Sequence, residues 1–306
     1  MIQYKRRSLF TLMVILILST YSFSQSTPSK LIAPGAVLTK VSSEYKFTEG
    51  PASDAMGNVY FTDQPNDRIL KWSVTDGSVS TFMENTGRSN GLYFDNNGNL
   101  IACADLENQL WKIAPDKSVE ILVKDFEGKK LNGPNDLWID RKGGIYFTDP
   151  FYKRDYWSRT EKEIETEDVY YLSPDKQSLE RVATGFVRPN GIVGCKKGKN
   201  LYVVDINDKK TYKFRINKKN GELYDRQLFT EMGSDGMTID NKGNLYLTGQ
   251  GVTIFNRKGE KIGHIDVPER WTANICFGGK NQDKLFITAM GSLYTLDMQV
   301  KGVRWQ

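Results

Sequence analysis

Nine residues ahead of six successive turns, the sequence places Glu49, Asn90, Asn135, Asn190, Asp235 and Asn274. Each carries a side-chain oxygen, two are carboxylates, and none is an imidazole or a thiol. Such a set is hard and oxygen-rich. It selects a divalent cation, Ca²⁺ ahead of Mg²⁺ or Mn²⁺, with Zn²⁺ also open. A lone Asn before a Gly, as at Asn90-Gly91 or Asn190-Gly191, is ordinary turn chemistry. Six acidic or amide residues in register weigh against turns alone.

Other chemistries run short of residues. His264 is the sole histidine, so a Ser-His-Asp system or a histidine-rich zinc site has almost nothing to build on. Gly87-Arg88-Ser89-Asn90-Gly91 matches the G-x-S-x-G nucleophile elbow, but Leu92-Tyr93-Phe94 continues it as a strand where that motif needs a helix. We therefore expect Ser89 to be a chance match and His264 an exposed residue of an outer strand. The net charge of +5 falls to +2 without the first 24 residues, which carry Lys5, Arg6 and Arg7 and no acid. No basic surface for nucleic acid is implied.

The elements that position the six oxygens recur as a unit. Strands such as Val59-Tyr60-Phe61-Thr62-Asp63, Leu100-Ile101-Ala102-Cys103, Ile145-Tyr146-Phe147-Thr148-Asp149, Leu201-Tyr202-Val203-Val204-Asp205, Leu245-Tyr246-Leu247-Thr248 and Leu285-Phe286-Ile287-Thr288 each follow a turn and precede another short strand. The turns carry Gly57-Asn58, Gly98-Asn99, Gly143-Gly144, Gly198 to Asn200, Gly243-Asn244 and Gln282-Asp283. Their spacing, about 39 to 55 residues, is the propeller range. The expected fold is all-β, a six-bladed β-propeller; a β-sandwich explains neither the count nor the period. Ala36 to Phe47 alternates like a strand and should supply the outer strand of the last blade, closing the ring. Because the six oxygen-bearing residues open the first strand of each blade, they should converge at one mouth of the central channel.

Lys5-Arg6-Arg7, the apolar run Leu9 to Leu18 and the small residues Ser22 and Ser24 read as a secretory signal peptide over residues 1–24, with an uncleaved anchor as the alternative. Residues 25–306 then form one propeller domain, periplasmic or secreted, with no stable membrane span after cleavage. Cys103, Cys195 and Cys276 lie far apart in apolar segments and read as small buried hydrophobes, though one disulfide plus a free thiol stays open.

The runs Glu49-Gly50-Pro51, Leu131-Asn132-Gly133-Pro134-Asn135-Asp136, Arg188-Pro189-Asn190-Gly191 and Ser234-Asp235-Gly236-Met237 resemble the SMP-30/gluconolactonase/LRE-like family, over roughly residues 36 to 298. Asn135-Asp136-Leu137 followed by Gly144-Ile145-Tyr146-Phe147-Thr148-Asp149-Pro150 is similar to its bacterial gluconolactonase branch. The resemblance implies a six-bladed propeller with one catalytic divalent cation in the channel. It further implies that Glu49, Asn190 and Asp235 ligate the metal, and that Asn135 ligates it or holds substrate or water beside it. Two departures bear on the sugar preference. Cys103-Ala104-Asp105 stands where many bacterial gluconolactonases carry Cys-Glu-His, and Gly133 stands where the regucalcin branch has a substrate-binding arginine.

The expected activity is hydrolysis of a small lactone, with an aldonolactone as favoured substrate. The cation would stabilise the oxyanion, Asp235 would be the general base, Asn135 would orient water or substrate, and Asn90 and Asn274 would complete the substrate contacts. A non-catalytic calcium propeller that binds a sugar or protein, and a phosphoester or organophosphate hydrolase, need the same ring and remain as alternatives. Phe151 to Asp168 lengthens the third unit with Phe151, Tyr152, Tyr156 and Trp157 among basic residues. It reads either as a cover over the channel mouth or as a surface loop, and the acidic run Glu161 to Asp168 within it as solvated. Oligomeric state is open.

Overall fold

A computed structural model describes residues 30–303. Six four-stranded antiparallel sheets surround a central channel, five of them with their strands in chain order from the axis outward and the sixth with its outermost strand taken from earlier in the chain. The innermost strands are Thr48–Ser53, Ser89–Phe94, Leu137–Ile139, Pro189–Gly194, Met237–Ile239 and Thr272–Gly278. This is the six-bladed propeller that the repeats predict. The expected signal peptide lies outside the described residues, and among those residues no helix is long and apolar enough to cross a membrane.

Each second strand is rich in β-branched and aromatic residues because it is covered on both faces by neighbouring blades. Tyr146 and Phe147, adjacent on Ile145–Asp149, are both fully buried although they point to opposite faces. One apolar cluster accordingly joins Trp138 and Tyr146 of the third blade, Ile192 and Val203 of the fourth, and Leu247 of the fifth. Burying one such large apolar side chain contributes about 1.5–3 kcal/mol. The fourth strands, such as Val79–Glu84, are largely exposed and carry alternating polar residues.

In four of the six blades the turn between first and second strands is held by an aspartate that opens it, Asp54, Asp95, Asp140 and Asp240. Asp54 Oδ1 accepts the backbone N–H groups of Met56, Gly57 and Asn58 at 2.9, 2.8 and 2.9 Å, while Asn58 Nδ2 donates to Oδ2 at 2.7 Å. Asp95 with Asn99 and Asp240 with Asn244 repeat the arrangement. Gly57 has a φ of +97°, which explains glycine at that step.

Ring closure follows the expectation. Thr39–Ser42 is the outer strand of the sixth blade, pairing Thr39 with Thr295 and Lys40 with Tyr294. The first and last blades are thereby tied by hydrogen bonds, which constrains the rest of the ring.

Candidate active site

The six oxygen-bearing residues do form one ring. Glu49, Asn90, Asn190 and Asn274 lie within the first three residues of their strands, and Asn135 and Asp235 two residues ahead of theirs. Neighbouring blades are stitched together at this level. Gly91 N–H donates to Asn135 O at 2.8 Å, Gly191 N–H to Asp235 O at 2.8 Å, Thr148 Oγ1 to Asn190 O at 2.8 Å, and Thr62 Oγ1 to Asn90 O at 3.2 Å. The small residues that follow the ring positions owe their identity to this close approach. A Cβ on Gly91 would stand 2.5 Å from Asn135 O, one on Gly191 2.6 Å from Asp235 O, and one on Gly236 inside the Asn274 amide.

Three carboxyls face one another in the ring, one more than the register predicts. Burial raises Glu49 well above the usual carboxylate range, and the charges of Asp235 and Asp136 add to it. Asp136 is pushed up to about 7, by burial first, despite backbone N–H groups of Leu137 and Ile192 donating to it. Asp235 stands at about 6 through burial, held down by Trp271, Asn190 and the charge of Arg154. Crowded buried carboxyls that resist joint ionisation lack positive charge among them. Asp136 escapes the nine-residue register because it sits one position past Asn135.

The amides divide into two kinds. Asn274 Oδ1 accepts the N–H of Ile275 at 2.8 Å, and its amide group favours the ionised forms of Glu49 and Asp136. Asn190 Nδ2 donates to Asp235 Oδ1 at 2.9 Å and to the Tyr152 hydroxyl at 2.8 Å, and its Oδ1 accepts no hydrogen bond among the described residues. The side-chain amides of Asn90 and Asn135 are buried and hydrogen bond to nothing among the described residues. Among those residues no three His, Cys, Asp or Glu side chains alone could hold an ion. A cation here must therefore draw on amide oxygens, and the free oxygens of Asn190 and Asn135 beside Glu49 and Asp235 fit that requirement.

Two site residues carry no sequence register at all. Trp271 Nε1 donates to Asp235 Oδ2 at 2.7 Å, and Tyr152 reaches Asn190 from the long third-blade segment. That segment therefore covers the mouth. Trp157 Nε1 donates to Asp105 O at 2.8 Å, and Arg154 Nε and the Tyr156 hydroxyl both donate to Asp105 Oδ2. The expectation of a solvated acidic run holds for Glu161, Glu163 and Glu165 and fails for Glu167 and Asp168. These two are buried because they open the strand Glu167–Leu172, and they meet Lys162 and Arg181.

Beneath the ring, on the far side from these residues, a cavity of about 610 Å³ is roofed by Asp136 and Asn274 and walled by Leu92, Trp138, Ile192 and Phe277. Ser89 is buried on its strand and donates to Thr86 O at 2.6 Å, so no elbow forms. His264 lies on the outer strand Lys261–Ile265, partly buried rather than exposed, against Thr253. All three cysteines are free; Cys103 is buried, Cys195 and Cys276 partly so.

A model of the SMP-30/gluconolactonase/LRE-like region matches residues 47–291, which is most of the chain and all of the ring. The chain belongs to that family. Within this family it is similar to a gluconolactonase of Zymomonas mobilis, 30% identical over 296 residues, covering 86% of this chain and 79% of that one. A gluconolactonase of Xanthomonas campestris superposes with a TM-score of 0.80 at 30% identity, over 86% of this chain and 90% of the other. The diisopropyl-fluorophosphatase of Loligo vulgaris is 25% identical over 252 residues, covering 73% and 79%.

Proposed function

We propose that this chain is a divalent-cation-dependent hydrolase of small lactones, with a sugar-acid lactone as substrate class. The observation that carries this reading is the closed ring that brings Glu49, Asp136 and Asp235 together with the free amide oxygens of Asn190 and Asn135. Relatives named gluconolactonase at 30% identity support the same reading.

Glu49, Asn190 and Asp235, with Asn135 beside them, would hold the ion; when bound it supplies Lewis-acid polarisation of the ester carbonyl. Asp235 accepts the proton of the attacking water. Asn190 on Oδ1 and Trp271 on Oδ2 fix the plane of its carboxylate, and each leaves a lone pair. Without the ion, burial lifts Asp235 to about 6, and a cation beside it favours the ionised form that can accept a proton. The Asn274 amide favours the ionised forms of Glu49 and Asp136 against the burial that raises both. Asn90 and Asn135, with amides unspent on the protein, contact the substrate hydroxyls or the water. The long third-blade segment closes one side against solvent.

Export belongs to the same proposal, since Lys5-Arg6-Arg7 and Leu9 to Leu18 support a periplasmic or secreted enzyme. The Loligo vulgaris relative favours one second reading, an organophosphate hydrolase on the same ring. A panel of D-glucono-1,5-lactone, a pentonolactone and diisopropyl fluorophosphate, assayed by proton release with Ca²⁺, Mg²⁺, Mn²⁺ or Zn²⁺, separates them. Turnover of the lactones supports the proposal. Turnover of the fluorophosphate alone replaces it, and metal binding without any turnover leaves a calcium-binding propeller.

A further inference from the structure

Arg188 stands two residues ahead of Asn190, and its backbone is pinned on both sides. Its N–H donates to Asp205 Oδ1 at 2.9 Å, and its carbonyl accepts from Ile206 at 3.0 Å. Its guanidinium lies 4.8 Å from the centre of the Tyr152 ring, and that of Arg154 lies 5.3 Å from the same ring. The hydroxyl of that tyrosine is bonded to Asn190, and Asn190 to Asp235. Two cations thus flank one aromatic side chain that ends on the candidate catalytic carboxylate's partner.

Arg188 is poorly served by the protein. The acid facing it is Glu167, whose Oε2 is 3.8 Å from Nε, beyond hydrogen-bond reach, while Oε1 is taken by Lys162. Arg188 Nε and Glu167 Oε2 are buried without a hydrogen-bond partner, paired only as ions across that distance, and the Arg188 guanidinium donates no hydrogen bond among the described residues. Arg154 is served on one side only. Its Nε donates to Asp105 Oδ2 at 3.1 Å, an oxygen also taken by Tyr156 and, at 3.4 Å, by Gln64, and its terminal N–H groups have no acceptor among the described residues. Arg68 and Arg226 differ, and Arg159, whose Nε and Nη1 are also buried without a partner, still donates through Nη2 to the carbonyls of Leu131 and Asn132. Arg68 makes a two-pronged contact with Asp63 at 3.0 and 2.9 Å, and Arg226 caps the carbonyls of Thr184 and Gly185.

A guanidinium presents a planar fork of donors, and leaving it half-buried without acceptors is costly. A carboxylate matches the fork with two oxygens, and the resulting charge-assisted pair is among the stronger polar contacts. We infer that Arg188, with Arg154 beside it, forms a carboxylate subsite at the channel mouth, so that the preferred substrate is an anionic lactone whose free carboxylate lies at the end remote from the ring ester. The inference rests on the lactonase reading and narrows it to the lactones of dicarboxylic sugar acids.

D-Glucono-1,4-lactone and D-glucaro-1,4-lactone test it, since they differ only in carrying a hydroxymethyl or a carboxylate at that remote end. For the wild-type protein loaded with its best ion, kcat/KM for the glucarolactone is expected to exceed that for the gluconolactone by about tenfold to a hundredfold, the worth of one charge-assisted pair. In Arg188→Gln that ratio should fall toward one, through KM more than kcat, and Arg188→Lys should restore part of it. Should the Gln variant not fold, the wild type alone decides. KM for the glucarolactone should rise with added salt while that for the gluconolactone stays level. Equal kcat/KM for the two lactones in the wild type, or an unchanged ratio in folded Arg188→Gln, overturns the subsite. Hydrolysis of neither lactone under any ion overturns the lactonase reading itself, and the subsite with it.

Discussion

The indole N–H of Trp271 meets Asp235 Oδ2 at 2.7 Å, crossing from the lead-in of the sixth blade to that of the fifth. It is a hydrogen bond to a charged acceptor and holds the Asp235 pKa down against burial. Trp271→Phe keeps most of the ring's bulk and removes the donor. We expect Asp235 to titrate higher, so the acidic limb of the pH–rate profile moves up, and kcat/KM falls about tenfold to a hundredfold, as loss of one such bond implies. A fall in activity with an unmoved acidic limb would assign Trp271 to packing alone.

The inter-blade approach at Gly191 predicts a stability defect. In Gly191→Ala the added methyl would stand 2.6 Å from the carbonyl oxygen of Asp235, which accepts the Gly191 N–H. The blades must separate there, at about 1–3 kcal/mol. Urea unfolding of the metal-free protein measures this, and a midpoint equal to wild type would show that the ring is looser than its hydrogen bonds indicate.

Ser89 and His264 should be dispensable for turnover. Ser89 is committed to the Thr86 carbonyl, and His264 lies on an outer strand in another blade. Ser89→Ala and His264→Ala should stay within about tenfold of wild-type kcat. A loss on the order of a hundredfold in either folded variant is the size of a general-base contribution and would point to another chemistry.

Stability of the metal-free protein should fall as pH rises. Asp136 at about 7 and Asp235 at about 6 both stand above the ordinary 3.8, so the folded state binds protons more tightly than the unfolded chain. Between about pH 4 and 7 these groups therefore cost stability as they ionise, and a cation that favours their ionised forms offsets the loss. Thermal unfolding at about pH 5 and about pH 7.5 should show a Ca²⁺-induced rise in Tm that is larger at the higher pH. An equal rise at both would place the ion away from these carboxyls.

The ring residues were legible because one strand–turn–strand period sets their register. Nine residues separate each from its turn in every blade, so Glu49 and Asn190 announce themselves together although 141 positions apart. Trp271 and Tyr152 sit on connecting segments, where no period constrains a side chain, and their partners are fixed only once blades pack. Glu167 and Asp168 misled for a related reason. A run of acids resembles solvated surface, whereas the strand beginning at Glu167 carries both into the blade. The glycines after the ring positions looked like turn formers, and only the distance to the neighbouring blade separates that reading from steric necessity.

The measurement that bears most directly on metal-dependent lactone hydrolysis pairs calorimetry with proton release on the wild type and Asp235→Asn, each first stripped with chelator. The stripped wild type should hydrolyse D-glucono-1,5-lactone and D-glucaro-1,4-lactone no faster than buffer, and one of Ca²⁺, Mg²⁺, Mn²⁺ or Zn²⁺ should restore turnover as it binds. Asp235→Asn should keep its fold and part of its ion affinity while losing most turnover, since the amide retains an oxygen ligand but not a base. Undiminished hydrolysis by stripped wild-type protein, with no divalent ion by elemental analysis, would contradict the account.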